Sequence, residues 1–299
     1  MIVKKVLAGA SLTAALQTAW HANLTLSSQQ RGAIQDLSYG VLRFYGQLDA
    51  LLDLLLKKSL KDIRLRYLLL VSLYQLQYSK APPHAIVNHA VSATRLLKSG
   101  NGAQGLVNAV LRNYLRRQEV LLKQVMKNEV ARYSHPQWWI DKLRMQYPRN
   151  YQTILNANNQ RPSMTLRVNQ QKIGVDEYLR LLEESGFGMQ LLWNGAIKLT
   201  KPVKVEKLPG FAAGLVTVQD AGAQLAAQFL DVHDDMRVLD ACAAPGGKST
   251  HLLETANMSL TVLDSDPERL ARLTQNLDRA RVKAKQLICG DAAQPAQWW

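Results

Sequence analysis

The stretch LDACAAPGGKSTHLLE, Leu239 to Glu254, holds the residues of this sequence best suited to chemistry. Gly246 and Gly247 let the backbone approach a ligand closely, because glycine has no Cβ and adopts dihedrals that other residues resist. A helix beginning there would aim its unpaired N–H groups at the same place. Asp264 follows 18 residues after Gly246, closing the predicted strand LTVLDS, and Asp291 closes the next, AKQLICGD. A carboxylate about 20 residues past a glycine turn is placed to accept hydrogen bonds from ribose hydroxyls. Asp291 is placed to meet an adenine amino group or its polar neighbours.

Two kinds of ligand compete for this turn. GGKST has the ending of a triphosphate-binding loop, G-x-x-x-x-G-K-[ST], but Cys242 stands where the first glycine belongs. Pro245 deletes one of the N–H groups that would cradle phosphate. The charge of Asp264 would repel a triphosphate unless Mg²⁺ intervened. The pattern therefore favours a ribose-bearing ligand, with a P-loop nucleotidase as the alternative. Asp266, just before PERL, reads instead as a helix N-cap.

These residues need elements to carry them. From residue 231 the rhythm is β-α-β-α-β: MRVLDA, KSTHLLETA, LTVLDS, DPERLARLTQNLDRA and AKQLICGD. Such alternation implies a parallel sheet with helices on its faces, and ligands at the carboxyl ends of its strands. Residues 129–230 begin with a helical segment after SHPQWW. They continue as a small α+β module, with MTLRVN, MQLLWN and AIKLTKP as strands and VDEYLRLLEESG as a helix.

Residues 1–128 read as helices throughout. Leu37, Val41, Leu42, Tyr45, Leu48, Leu52 and Leu55 recur near helical spacing, and RLRYLLLVSLYQLQYS is apolar nearly all round. Pro82 and Pro83 interrupt the chain, SGNG (Ser99–Gly102) makes a turn, and a long helix follows with a basic middle at Arg112, Arg116 and Arg117. The opening MIVKKVLAGASLTAALQTA superficially resembles a secretory leader. Ser11, Thr13 and Gln17 interrupt it, and Val6, Leu7, Ala10, Ala14 and Leu16 fit a short amphipathic helix, which is the expected reading. No stretch reaches the roughly 18 apolar residues of a membrane span.

Charge separates the three segments. The formal charge of +14 divides as +12 in 1–128, +4 in 129–230 and −2 in 231–299. A surplus concentrated in one region favours a surface that faces nucleic acid. Arg112, Arg116 and Arg117 are the leading phosphate contacts, with Arg43 and Arg95 weaker. Trp138 and Trp139 could stack on bases, though a pair beside His135–Pro136 suits packing between domains. The two cysteines, Cys242 and Cys289, form no C-x-x-C pair and no Cys/His cluster, so neither a metal site nor a disulfide is expected. A reducing cytoplasm fits.

The motif residues also carry a resemblance. LDACAAPGGKSTHLLE, VLDSDPERL and ICGDA resemble the S-adenosylmethionine-binding half of the RNA cytosine-5 methyltransferases, and LPGFAAGLVTVQDAGAQLAA is similar to the segment preceding that half. YGVLRFYGQLD, PPHAIVNHAV and LVNAVLRNYLRR resemble the antitermination factor NusB. The combination resembles a family of bacterial 16S rRNA (cytosine-5) methyltransferases over essentially the whole chain. The resemblance implies an all-α NusB-like helical bundle, a small α+β linker module and an α/β Rossmann-like methyltransferase domain represented by its first three strands. It further implies S-adenosylmethionine as cofactor, held by Cys242, Ala243, Ala244, Pro245, Gly246, Gly247, Lys248, Asp264 and Asp291. Cys242 would be a wall of that site. The implied partner is 16S rRNA or its small-subunit precursor, with no metal and no membrane. Arg161 and Arg167, in NNQRPSMTLRVN, fall in a segment similar to the family's interdomain link, where RNA contact is expected.

One departure qualifies the expected activity. Methylating carbon 5 of cytosine needs a thiolate that adds at carbon 6. The family takes it from PC and TC motifs on strands past the third, so the nucleophile is expected beyond Trp299 and this chain by itself is expected to be inactive. Cys289, inside the third strand, is expected to be a buried structural thiol. A non-catalytic RNA-binding or antitermination-like protein is the alternative of another class.

Overall fold

A computed structural model describes residues 2–97 and 102–298. The turn expected at Ser99–Gly102 lies, apart from Gly102, outside these residues. The chain divides into two compact units, Met1–Gln160 and Arg161–Trp299.

The first unit is helical: α1 (Ile2–Leu7), α2 (Leu12–His21), α3 (Ser28–Arg43), α4 (Tyr45–Leu55), α5 (Ile63–Tyr78), α6 (Pro83–Leu96), α7 (Ala103–Val125), α8 (Glu129–Tyr133), α9 (Gln137–Gln146) and α10 (Tyr151–Asn158). The single helix expected at the start is two. Gly9 turns at φ +101°, and Ser11 caps α2 by accepting the Ala14 N–H. Ser27 and Gln30 form a reciprocal capping box that starts α3. Pro83 opens α6, where its missing N–H costs nothing. The core is aliphatic: Leu48, Leu51 and Leu52 of α4, Leu69, Leu70 and Leu73 of α5, and Val107 and Leu111 of α7 are fully buried. Each such side chain contributes roughly 1.5–3 kcal/mol by leaving water.

Residues 129–160 pack with this unit, although their sequence sits beside the α+β segment. Gly46 of α4 explains part of the docking, since a Cβ there would lie 2.6 Å from the Val130 carbonyl oxygen of α8. The Gln47 N–H also donates to Ser134 Oγ at 3.2 Å. Trp139 packs against the small core of Tyr133, Ile140, Leu143 and Leu155, whereas Trp138 is 67 % exposed.

The second unit holds two sheets. The antiparallel sheet has β1 (Thr165–Val168), β2 (Met189–Leu191), β3 (Ile197–Leu199) and β4 (Val216–Val218) in the order β2-β3-β1-β4, with α11 (Val175–Glu184) against it. Tyr178 and Leu182 of α11 are buried with Leu166, Ile197 and Val216. After α12 (Ala221–Leu230) comes the parallel sheet of β5 (Arg237–Asp240), β6 (Ser259–Asp264) and β7 (Gln286–Cys289), in the order β5-β6-β7. Helix α13 (Gly247–Thr255) joins β5 to β6, and α14 (Pro267–Ala280) joins β6 to β7. Asp266 caps α14 through the Glu268 and Arg269 N–H groups, as its position before proline suggests. Leu260, Val262, Leu273 and Leu277 form the centre of this core.

Candidate functional site

The parallel register sets the site. Asp240 pairs with Val262, Asp264 pairs with Cys289, and the Gly290 N–H continues the ladder to the Asp264 carbonyl at 3.1 Å. The carboxyl ends of three adjacent strands thus reach one edge of the sheet. The 241–246 loop crosses that edge between β5 and α13.

Hydrogen bonds hold the loop at nearly every residue. The Ala243 N–H donates to the Leu263 carbonyl at 3.0 Å, and the Ala244 N–H to Asp264 Oδ2 at 3.1 Å. Asn276 Nδ2 donates to the Pro245 carbonyl at 2.8 Å, and the Arg269 guanidinium to the Ala244 carbonyl. Asp240 accepts the Ser249 hydroxyl at 2.7 Å and the Cys242 N–H at 3.3 Å. Gly246 sits at φ +102°, where an L side chain is strained. The first bond spanning into α13 runs from the Thr250 N–H to the Gly246 carbonyl, so the Gly247, Lys248 and Ser249 N–H groups belong to the helix's open end.

This loop has an inner wall and an outer lip. Ala243, Ala244 and Gly246 are buried, whereas Cys242, Pro245 and Lys248 are exposed. The amide groups at the helix start suit a carboxylate, and the proline-interrupted lip lacks one of the N–H groups that three phosphates would need. Asp291 is exposed, with Oδ1 accepting the Ala293 N–H at 2.9 Å, and stands at the β7 end as its spacing suggests.

Asp264 has a geometry the sequence did not foresee. It is buried, and its oxygens accept the Ala244 and Asp266 N–H groups, with Arg269 at 3.4 Å. Its work in this structure is to brace the loop. Sequence reasoning missed Asp240 and Arg269, the other braces. Asp240 sits in the motif itself, at a strand end, and that position was its signal.

Arg167 corrects an expectation. Proposed from sequence as an RNA contact, it is 4 % exposed and forms a bidentate pair with Glu254 of α13 at 2.8 Å. The same guanidinium donates to the Gly247 carbonyl at 2.7 Å, to Thr250 Oγ1 at 3.1 Å and to Gln219 Oε1 at 2.5 Å. No phosphate reaches a group so enclosed. Arg161 is exposed. Burial holds the Glu254 carboxyl above its ordinary range, against the opposing pull of Arg167. His251, one turn before Thr255, is pushed down to about 4 by burial and by Arg167.

Arg279 of α14 makes a second bridge. It donates to the Phe211 and Val216 carbonyls at 3.0 and 2.9 Å, and its guanidinium lies 4.2 Å from the Phe211 ring centroid. Arg112, Arg116 and Arg117 are exposed along α7, which departs from helical dihedrals at Arg117. Cys289 also departs from expectation. It is exposed, because β7 is an edge strand whose other flank carries no partner among the described residues. Among those residues no three His, Cys, Asp or Glu side chains gather to hold a metal, and no helix is long and apolar enough to cross a membrane.

A parallel sheet with a glycine loop and successive strand-tip carboxylates defines a Rossmann-like α/β fold, here joined to a helical bundle. Family comparison sharpens this. The NusB family matches residues 2–116, the ferredoxin-like domain of RsmF/B-like methyltransferases matches 135–206, and 16S rRNA methyltransferase RsmB/F matches 227–299. The ribosomal RNA small subunit methyltransferase B of Vibrio vulnificus is 41 % identical over 97 % of this chain and 68 % of its own length. That of Pasteurella multocida is 44 % identical over 91 % of this chain and 61 % of its own. A solved structure described as PH0851 has the same fold, with a TM-score of 0.67 at 20 % identity over 97 % of this chain and 68 % of that one. A methyltransferase homolog protein from Pyrococcus horikoshii gives 0.51 at 25 % identity, over 57 % and 58 %. The chain belongs to the RsmB/F family of 16S rRNA methyltransferases. It spans about two thirds of the length of the curated relatives it matches, from 61 to 68 %.

Proposed function

We propose that this chain binds S-adenosylmethionine and 16S rRNA, or its small-subunit precursor, in an enzyme that methylates carbon 5 of a cytosine. When bound, the cofactor supplies an electrophilic methyl group on its sulfonium. The Gly247, Lys248 and Ser249 N–H groups receive the methionine carboxylate, with the Lys248 ammonium near it. Ala243 to Gly246 form the wall, and Cys242 belongs to its lip. Asp291 takes the polar edge of the adenine side. Asp264 orders the ribose side through Ala244. Labour divides by segment: 1–128 and Arg161 face RNA phosphates, 129–230 joins, and 231–299 holds the methyl donor. The setting is cytoplasmic.

The braced loop carries this reading. Asp240, Asp264, Arg269 and Asn276 fix its backbone so that the open start of α13, to which it leads, is set before a ligand arrives, which cuts the ordering cost of binding. Calorimetry of the 299-residue chain tests it. S-adenosylmethionine should bind and ATP·Mg²⁺ should not; the reverse result overturns it.

A further inference from the structure

The buried guanidinium of Arg167 lies in the antiparallel module, outside the cofactor motif, yet it reaches both motif glycines. It takes the Gly247 carbonyl directly at 2.7 Å. It also donates to Thr250 Oγ1, whose own hydroxyl donates to the Gly246 carbonyl at 2.8 Å. Gln219, just after β4, accepts from Arg167, and its side chain lies 3.9 Å from where a Gly247 Cβ would stand. Glu254, two turns along α13, holds the guanidinium in a fork.

We propose that Arg167 is a positioning residue for the methyl-donor site, with Glu254 as the partner that aims it. The pair is neutral overall, so it acts on the site by geometry more than by field. A guanidinium planted in β1 fixes the height and turn of the first α13 residues, whose amides are the donor-facing groups. The α+β module is thereby part of the cofactor site and more than a connector. Only arginine supplies enough donors in a rigid plane for these four acceptors at once.

The inference rests on the S-adenosylmethionine reading, and the experiment separates the two. Arg167→Lys, Glu254→Gln and the control Leu182→Ala are made in the 299-residue chain. Leu182 is fully buried in the α11 core, and its truncation destabilises without touching the loop. Three quantities are measured: the thermal midpoint, the calorimetric Kd for S-adenosylmethionine, and amide hydrogen exchange of residues 244–250 without ligand. Glu254→Gln keeps an acceptor for the guanidinium and guards against a lysine variant that does not fold. Both variants should weaken binding at least tenfold and speed exchange in 244–250. Leu182→Ala should lower the midpoint as much yet leave Kd within twofold and that exchange unchanged. Binding and exchange in Glu254→Gln that match wild type, or merely match Leu182→Ala, overturn the proposal. If the wild-type chain binds no S-adenosylmethionine, the cofactor reading fails, and exchange in the ligand-free chain still judges Arg167.

Discussion

On α7, Arg112, Arg116 and Arg117 stand in solvent, and Arg112 spends one donor on Asn108 of its own helix at 2.9 Å. In the second unit, Arg167 is buried and Arg279 half-buried, and their donors go to carbonyls, a hydroxyl, an amide and a carboxylate. The residue type is the same and the physics is opposite. An exposed guanidinium keeps its hydration until a phosphate replaces it, so its energy appears on binding. A buried one has lost that hydration on folding, so its energy appears in stability and in the placement of what it touches. Net charge marks the first kind of arginine and is blind to the second.

The largest effect should come from breaking the buried kind. Arg167→Ala leaves the Glu254 carboxylate desolvated without its partner, and losing one member of such a pair costs about 3–5 kcal/mol. Denaturant titration reads this directly. A loss below about 1 kcal/mol would mean that the pair is open to water and that Arg167 is no different in kind from the exposed arginines.

A smaller effect comes from the histidine beside that pair. His251 is lowered to about 4 from an ordinary value near 6.5, so the folded chain binds fewer protons than the unfolded chain between those values. The stability this contributes is present above pH 6.5 and is lost as pH falls toward 4, on the order of 2 kcal/mol after allowing for its partial exposure. His251→Gln should flatten that part of the stability profile. A mutant slope equal to wild type would assign the loss to other groups.

Smaller again is Gly246→Ala. Holding an L residue at φ +102° costs about 1–2 kcal/mol, and the added Cβ would lie 3.3 Å from Leu273 Cγ. Stability should fall by that amount and binding of the methyl donor should weaken with it. A variant that is less stable but binds normally would separate the loop's fold from its function.

Much of the methyl-donor site, unlike the buried arginine beside it, was legible in the sequence. The glycine turn, the strand-end position of Asp264 and Asp291, and the cap at Asp266 depend on neighbours close in sequence. Those follow from spacing and local chemistry. What was illegible depends on distant partners. Arg167 alternates along β1 like any strand residue, and only the meeting of β1 with α13, 87 positions away, buries it. β4 is three residues long and exists because Val216–Val218 pair with β1, so its local pattern is weak. Asp264 looked free because the bonds that occupy it come from the Ala244 and Asp266 backbones and from Arg269, which spacing does not reveal.

The smallest expected change in stability belongs to the exposed arginines, and there the contrast is most sharply tested. Arg112→Ala, Arg116→Ala and Arg117→Ala together should move folding stability by less than about 0.5 kcal/mol each, the usual range for surface positions. Affinity for a 16S rRNA fragment should nonetheless fall, and it should fall in a particular way. Each phosphate neutralised by a lysine or arginine releases condensed counterions, so the slope of log K against log salt should flatten by roughly 0.7 per lost contact on single-stranded RNA. Three lost contacts make a change of about 2, large enough to measure by titration at several salt concentrations. Reduced affinity with an unchanged slope would mean that these side chains act by packing or by shaping α7 near its irregular turn at Arg117. The helical unit's surplus charge would then bind RNA through other residues, and the division between arginines that bind and arginines that build would have to be drawn elsewhere.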